Sequence, residues 1–342
     1  MLGRSGRSRW FGAGIVRSLQ RRKQGISVLL AVQDEQYLIG LSIRSFLELG
    51  DEVIVVDNGS QDASPQIARA LAERYPDRVR FFDRPDLVDL HQNRAFALAQ
   101  ARYQWVVRAD SDYVCYTDGP LAVQEFRRFV LSLRRSLQPS VIWVPQVNVF
   151  GDFLHTGCPL SHAGGSAANP DRQYVPDVTS TPMPRLYQTF PGFAFVRRGR
   201  RETTRLLKVM QASTWPQPIW MHCTIKSDLN LFRRSERTNW RQLGDYTRFP
   251  TLDQYIHSIV RDRYGTSDLA EAGQSYLRRH VLPYLERYEE RGRYPYPRLV
   301  AEQIQRNPIF EIRRLGGAAD DSEPQFERRF LGFDPERDGV GI

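Results

Sequence analysis

From Ile26 onward the apolar positions fall into two alternating patterns. Continuous β-branched runs, ISVLLAV at 26–32 and EVIVVD at 52–57, are what a parallel strand covered on both faces requires. Between them Leu38, Leu41, Phe46 and Leu49 recur at helical spacing and stop at Gly50, which predicts a helix over 35–49. Ser64 followed by Pro65 predicts an N-cap and a proline at the first helical position, with the helix running to about Tyr75. RVRFF (78–82) predicts a third strand, HQNRAFALAQA (91–101) a third helix and YQWVVRA (103–109) a fourth strand. Gly119-Pro120 opens another helix to about Arg135, and SVIWVPQVNVF (140–150) returns as strand. The alternation predicts an α/β fold with an open, mostly parallel sheet and flanking helices.

The pattern then weakens. Gly151 to Pro184 is rich in Gly, Ala, Ser, Pro and Asp, the composition of a long functional or disordered loop. RLYQTF and FAFVRR predict a hairpin around Pro191-Gly192, RRETTRLLKVMQ a helix, and PIWMHCTI (218–225) a last strand. Beyond Lys226 the chain is charged and helix-like, ending in a Gly-, Asp- and Glu-bearing tail after about Arg314. The expected units are an arm (1–25), a core domain (26–225), a C-terminal helical extension (226–313) and a flexible tail (314–342).

Composition changes this picture in two places. Hydrophobic content of 41% and aromatic content of 11% are ordinary for a globular enzyme, and no apolar run approaches the ~20 residues of a membrane span. Three cysteines without a C-x-x-C pair argue for a reducing, cytoplasmic setting. The net charge of +9 is concentrated: residues 1–25 hold Arg4, Arg7, Arg9, Arg17, Arg21, Arg22 and Lys23 and no acid, so removing those seven leaves +2. A nearly neutral body weakens any nucleic-acid reading. The arm reads as a solvated tail, as a short amphipathic helix (Phe11, Ile15, Leu19) touching an anionic membrane, or as a targeting segment.

Candidate chemistry sits where strands end, the place ligands bind in open α/β sheets. In VVDNGSQDAS (55–64), Asp57 closes a strand and Asn58-Gly59 turns tightly before Ser60, Asp62 and Ser64. This is either a well-made turn or a site that gives Asp57 a base or ribose to hold. In WVVRADSDYVCY (105–116), Asp110 and Asp112 flank Ser111 at the end of a buried strand, where aspartate is costly unless paired. Two carboxylates there suit Mg²⁺ or Mn²⁺. DSDYV also fits a haloacid-dehalogenase-type phosphatase, with Asp110 as nucleophile and Asp112 as acid/base. That enzyme would have to recruit Lys208, Lys226 or Asp320-Asp321, none in convincing strand context.

The order and spacing of SVLLAVQDEQYLIGLSIRSFLELGDEVIVVDNGSQDAS and DLHQNRAFALAQARYQWVVRADSD resemble family 2 glycosyltransferases of the GT-A type, over roughly 26–116. The resemblance implies a GT-A (Rossmann-like) open mixed sheet, with 26–116 as nucleotide-binding half and 117–225 as acceptor half. It implies that Val32 to Glu35 and Asp57 contact the nucleoside, that Arg94 approaches the diphosphate, and that Asp110, Ser111 and Asp112 hold donor and metal. Two positions depart from the family: Gln33-Asp34-Glu35 where proline or tyrosine precedes Asn-Glu, and Ala95 where asparagine follows the arginine. MPRLYQTFPGFAFVRRGRRETT and IWMHCTIKSD resemble later motifs, which makes Glu202 a general base, with Asp177 or Asp152 in reserve, and His222 a further metal ligand. The neighbouring Arg197, Arg198, Arg200 and Arg201 would grip a diphosphate or an acidic acceptor, or stand solvated. His155, Cys158 and His162 resemble half a zinc site but lack a fourth ligand nearby. The implied reaction is metal-dependent, inverting sugar transfer from a UDP- or GDP-sugar to a glycan or lipid-linked acceptor, with Mn²⁺ or Mg²⁺. A relative that binds the nucleotide sugar without turnover is the other reading.

Overall fold

The computed structural model describes residues 22–87, 90–133, 138–157, 183–198, 201–205, 209–244, 247–288, 294–315 and 325–341. Of the basic arm, 1–21 lie outside the described residues. The nucleus is four strands, β1 (Lys23–Val32), β2 (Glu52–Asp57), β3 (Val79–Asp83) and β4 (Tyr103–Asp110), joined through α1 (Ile39–Phe46), α2 (Ser64–Arg74) and α3 (Leu90–Gln100). The four are mutually parallel, in spatial order β4, β1, β2, β3. The apolar runs are buried on both faces, as their composition requires. Ile26, Val28, Leu30 and Val32 join Ile43, Phe46 and Ile67, while Leu29, Ile54, Val56 and Val106 meet Ala97 and Leu98 of α3. β1 begins at Lys23, three residues before the expected start, because it continues past an irregularity at Gly25 to pair with Tyr103.

After β4 the chain makes β5 (Tyr113–Cys115) and α4 (Val123–Ser132), and then departs from the expected single strand at 140–150. Pro145, with no N–H for a ladder, separates β6 (Ser140–Val144) from β7 (Val147–Phe150). β6 stays in the main sheet and β7 joins a second sheet. A two-residue bridge, β8 (His155–Thr156), follows. The expected hairpin around Pro191-Gly192 does not form. β9 (Met183–Gln188) is inserted antiparallel between β4 and β6, which makes the sheet mixed. β10 (Phe195–Arg198) pairs instead with β11 (Arg201–Thr204), so 201–204, expected as part of a helix, are strand. Thr203 and Thr204, β-branched, suit that pairing. β12 (Gln211–Thr214) completes a seven-stranded sheet, and β13 (Trp220–Thr224) lies between β5 and β7.

The extension is helical where expected: α5 (Asp228–Leu243), α6 (Leu252–Tyr264) and α7 (Leu269–His280), each with a capping side chain at Ser227, Thr251 or Asp268. β14 (Glu286–Arg287) and α8 (Arg298–Arg306) follow. β13 is not the last strand, and the expected flexible tail is structured over 325–341. β15 (Phe310–Leu315) pairs with β16 (Gln325–Phe330), and a turn of π-helix covers Pro335–Val340. Few but large anchors hold this charged segment. Tyr37 meets Phe310 and Phe333 at centroid distances of 5.2 and 5.1 Å, and Asp338 and Val340 are buried. No helix among the described residues is long and apolar enough to cross a membrane.

Candidate active site

The first-strand loop and the turn after β2 are bonded to each other. Asp57 is wholly buried; its Oδ1 accepts the amides of Gly59 (2.9 Å) and Ser60 (2.8 Å), and its Oδ2 accepts the Ser60 hydroxyl (2.6 Å). Burial pushes its carboxyl up while the Ser60 bonds oppose that. Expected to hold base or ribose, Asp57 instead spends both oxygens organising its own turn. Ser64 does not cap α2: its Oγ accepts the Glu35 amide (2.7 Å), as Ser60 Oγ accepts that of Asp34 (2.8 Å) and Asp62 Oδ2 that of Gln36 (3.0 Å). Asp34, at φ 55°, accepts in turn from the Gln61 amide through Oδ1 (2.8 Å). Val32 is buried at the end of β1, opposite Asp57 in register. Glu35 forms a buried ion pair with Lys226, whose Nζ also donates to the Asp34 carbonyl (3.2 Å). Burial outweighs that cation and pushes the Glu35 carboxyl up to about 7.

The two aspartates at the end of β4 have separate surroundings. Asp110 pairs with Arg94 of α3 through Oδ1 and with Arg185 of β9 (3.4 Å) through Oδ2. Burial would raise this carboxyl, but the guanidiniums of Arg94, Arg185 and Arg108 hold it well below the carboxylate range. Arg185 also donates to the Tyr113 hydroxyl. Two residues on, buried Asp112 faces His222 of β13, with Oδ2 3.1 Å from Nε2 and Arg234 of α5 at 3.8 Å. His222 and Arg234 likewise overcome burial and hold the Asp112 carboxyl low. Asp112 Oδ1 is buried without a hydrogen-bond partner. Ser111, between the two, is buried.

The expected three-ligand metal set is therefore not assembled: Asp110 is turned to arginines, and no group of three His, Cys, Asp or Glu converges as a cation site among the described residues. Asp112 and His222 alone fit a divalent cation that takes its remaining ligands from diphosphate and water, the usual arrangement for Mg²⁺. The orphaned Oδ1 of Asp112 is the kind of atom such an ion satisfies.

Glu202 lies on β11 opposite Arg197; its side chain, like those of Arg197, Arg198 and Arg201, lies outside the described residues, as do Asp177 and Arg200. The reserve base Asp152 is ruled out by its bonds. Wholly buried, it accepts from the amides of Leu154 (2.9 Å) and Ile312 (3.0 Å) and pairs with His155 Nδ1 (2.8 Å). That spends the one described residue of the half zinc site, Cys158 and His162 lying outside the described residues. Of the lysines a phosphatase would recruit, Lys226 is committed to Glu35 and Lys208 is outside the described residues. Arg185, Asn148, Gln146 and Arg234 enter the site without having been singled out in sequence. An arginine inside an apolar strand, as in MPRLYQ, was the available signal, since buried arginine needs a partner.

Residues 27–125, from β1 into α4, match the family model described as Glycosyl transferase family 2. Over this segment the chain is similar to family 2 glycosyltransferases. Its open mixed sheet with flanking helices is the fold class expected of that family. Solved structures with partial likeness include S. aureus TarS residues 1–349, at 12% identity, covering 90% of this chain and 99% of that one with a TM-score of 0.37. The chain spans 48% of the longer TarS chain. A mannosyltransferase, PcManGT from Pyrobaculum calidifontis, solved with GDP-Man and Mn²⁺, is 14% identical over 78% of this chain and 83% of its own, with a TM-score of 0.36. Glucosyl-3-phosphoglycerate synthase from Mycobacterium tuberculosis, solved with Mn²⁺ and UDP-glucose, is 24% identical over 42% and 49%, with a TM-score of 0.26.

Proposed function

We propose that this protein is a glycosyltransferase that moves a sugar from a UDP- or GDP-sugar to an acceptor hydroxyl, with inversion at the anomeric carbon and with Mn²⁺ or Mg²⁺, in glycan, polysaccharide or glycolipid synthesis. The observation that carries the reading is the pair of buried Asp112 and half-buried His222, 3.1 Å apart, with Asp112 just past the end of β4 in the segment that matches the family model. A bound cation would supply Lewis-acid stabilisation to the departing diphosphate. Asp112 and His222 would hold it. Asp110 fixes Arg94 and Arg185 beside the same strand end, where preorganised guanidiniums stabilise the charge that develops on the leaving group. Val32, Glu35 and the Asp57 turn would bound the nucleoside, with Asp57 acting through the turn amides it orders and Ser111 lining the donor.

In the reaction, the acceptor oxygen forms its bond to the anomeric carbon as the bond to the diphosphate oxygen breaks. The electron pair leaves with the nucleoside diphosphate, and the acceptor proton passes to a carboxylate, assigned here to Glu202. In support, the hairpin bearing Glu202 abuts α3, the helix of Arg94, where His91 Nε2 lies 3.1 Å from the Phe195 carbonyl. A lipid-linked acceptor would give residues 1–25 reason to touch a membrane.

Thermal stabilisation by UDP and GDP, with and without Mn²⁺, tests the reading. The expected result is a metal-dependent shift with one nucleotide that vanishes in Asp112→Asn, followed by multiple turnovers with the matching sugar donor. A shift without turnover on any donor would leave a non-catalytic binding protein. Stabilisation by beryllofluoride with Mg²⁺, and by neither nucleotide, would replace the proposal with a phosphatase.

A further inference from the structure

The two ring nitrogens of His222 face different neighbours, Asn148 and Gln146 at Nδ1 and Asp112 and Thr224 at Nε2. β13 and β7 run parallel with His222 directly opposite Asn148. Nδ1 lies 3.2 Å from Asn148 Oδ1, and Nε2 lies 3.1 Å from Asp112 Oδ2. We infer that Asn148 is a positioning residue for the cation: it holds the ring through Nδ1 so that Nε2 is presented at the Asp112 seat. The inference rests on the cation site proposed above.

An amide oxygen only accepts hydrogen bonds, so the tautomer with its hydrogen on Nδ1 bonds Asn148 Oδ1 and leaves the Nε2 lone pair for a cation. The amide itself is pinned. Gln146, two residues earlier, donates from Nε2 to the same oxygen at 2.8 Å and lies 3.3 Å from Nδ1, which keeps the oxygen of Asn148 toward the ring. Both amides are buried, so water does not compete for these bonds. Tyr113, in register with His222 from the other side, meets the imidazole edge-on at 4.9 Å and restricts its rotation. A metal-binding histidine donates its other ring N–H to a fixed acceptor, and losing that acceptor typically costs about 10–100-fold in metal affinity.

The direct test is Mn²⁺ binding to the full chain in the presence of UDP or GDP, which supplies the remaining ligands, with free Mn²⁺ read by electron paramagnetic resonance against a nucleotide-only control. The expected result is that Asn148→Leu, close in size but with no acceptor, weakens binding about 10–100-fold, while Asn148→Asp, which keeps the acceptor, binds near the wild-type level. A role limited to packing would tolerate Asn148→Leu as well as Asn148→Asp. Should Asn148→Leu fail to fold, Gln146→Met frees the amide to turn and is expected to weaken binding by a smaller factor. If His222→Gln weakens Mn²⁺ binding and Asn148→Leu does not, the role of Asn148 is overturned and the cation site stands. If the wild type binds no Mn²⁺, or binds it unchanged in His222→Gln, the cation site falls and the inference with it.

Discussion

Asp110 and Asp112 are one residue apart and do opposite work. Asp110 neutralises two buried guanidiniums arriving from α3 and β9, whereas Asp112 keeps an unpartnered oxygen and a histidine. Asp110→Asn would leave Arg94 and Arg185 without their anion. Breaking a fully buried pair costs about 3–5 kcal/mol. With 34% of the Asp110 side chain exposed, the expected loss of stability is about 2 kcal/mol. Asp112→Asn is expected to remove metal-dependent turnover with little loss of stability. Chemical denaturation beside turnover assays on both variants separates the roles, and a reversed pattern would show that they had been exchanged. Glu35 gives a pH dependence. Its folded carboxyl, pushed up to about 7, lies above the ordinary value of 4.5, so folding favours the protonated form. The stability it contributes is present below about pH 4.5 and falls as pH rises to about 7, by at most about 3 kcal/mol. Urea unfolding at pH 5 and 7.5 is expected to show a smaller decline in Glu35→Gln than in the wild type. Parallel declines would assign the slope to other groups.

At the scale of elements, the β15–β16 hairpin supports the site from behind. Arg328 of β16 stacks on Phe310 at 3.6 Å and pairs with Asp228. It also donates to the carbonyls of Gly151 (2.9 and 2.6 Å) and Lys226 (2.7 Å). Lys226 in turn holds Glu35, so the hairpin reaches the loop after β1 through one lysine. Arg328→Met, which keeps length but loses the donors, is expected to destabilise the fold by about 3 kcal/mol. It is also expected to raise amide exchange at 33–36 and 226–228, while exchange in the main strands changes only with global stability. Unchanged exchange at 33–36 would disconnect the hairpin from the loop. None of this was legible in sequence. Strands β1, β2 and β4 were, because each is an apolar run whose burial follows from its own residues. β9 was placed in the wrong partnership because its position between β4 and β6 depends on strands distant in sequence. β16, reading QFERRF, hides its anchors among charges. The candidate site divides the same way: the aspartates stand at strand ends visible in sequence, but Arg185 lies 75 residues from its partner Asp110 and Asn148 lies 74 from His222.

At the scale of the whole molecule, the C-terminal segment closes back on β1, α1 and α2. The turn at Pro335–Val340 seats Val340 in the core shared by β1, α1 and α2, and Gly339 packs against Ile67 of α2. Gly40 in α1 is where the two meet. A Cβ on Gly40 would overlap the Gly339 carbonyl, so this helix tolerates glycine's propensity cost of about 1 kcal/mol in exchange for close backbone approach. Gly40→Ala should improve α1 taken alone, yet in the intact chain it must displace residues 335–341. The two effects have opposite signs and are separable. With the C-terminal segment present, Gly40→Ala is expected to lower stability and open the chain to proteolysis near 331–334. With the chain ended at Phe330, the same substitution is expected to be neutral or stabilising, because nothing remains for the methyl group to strike. Equal destabilisation in both backgrounds would place the clash within α1 and remove the C-terminal closure from the account.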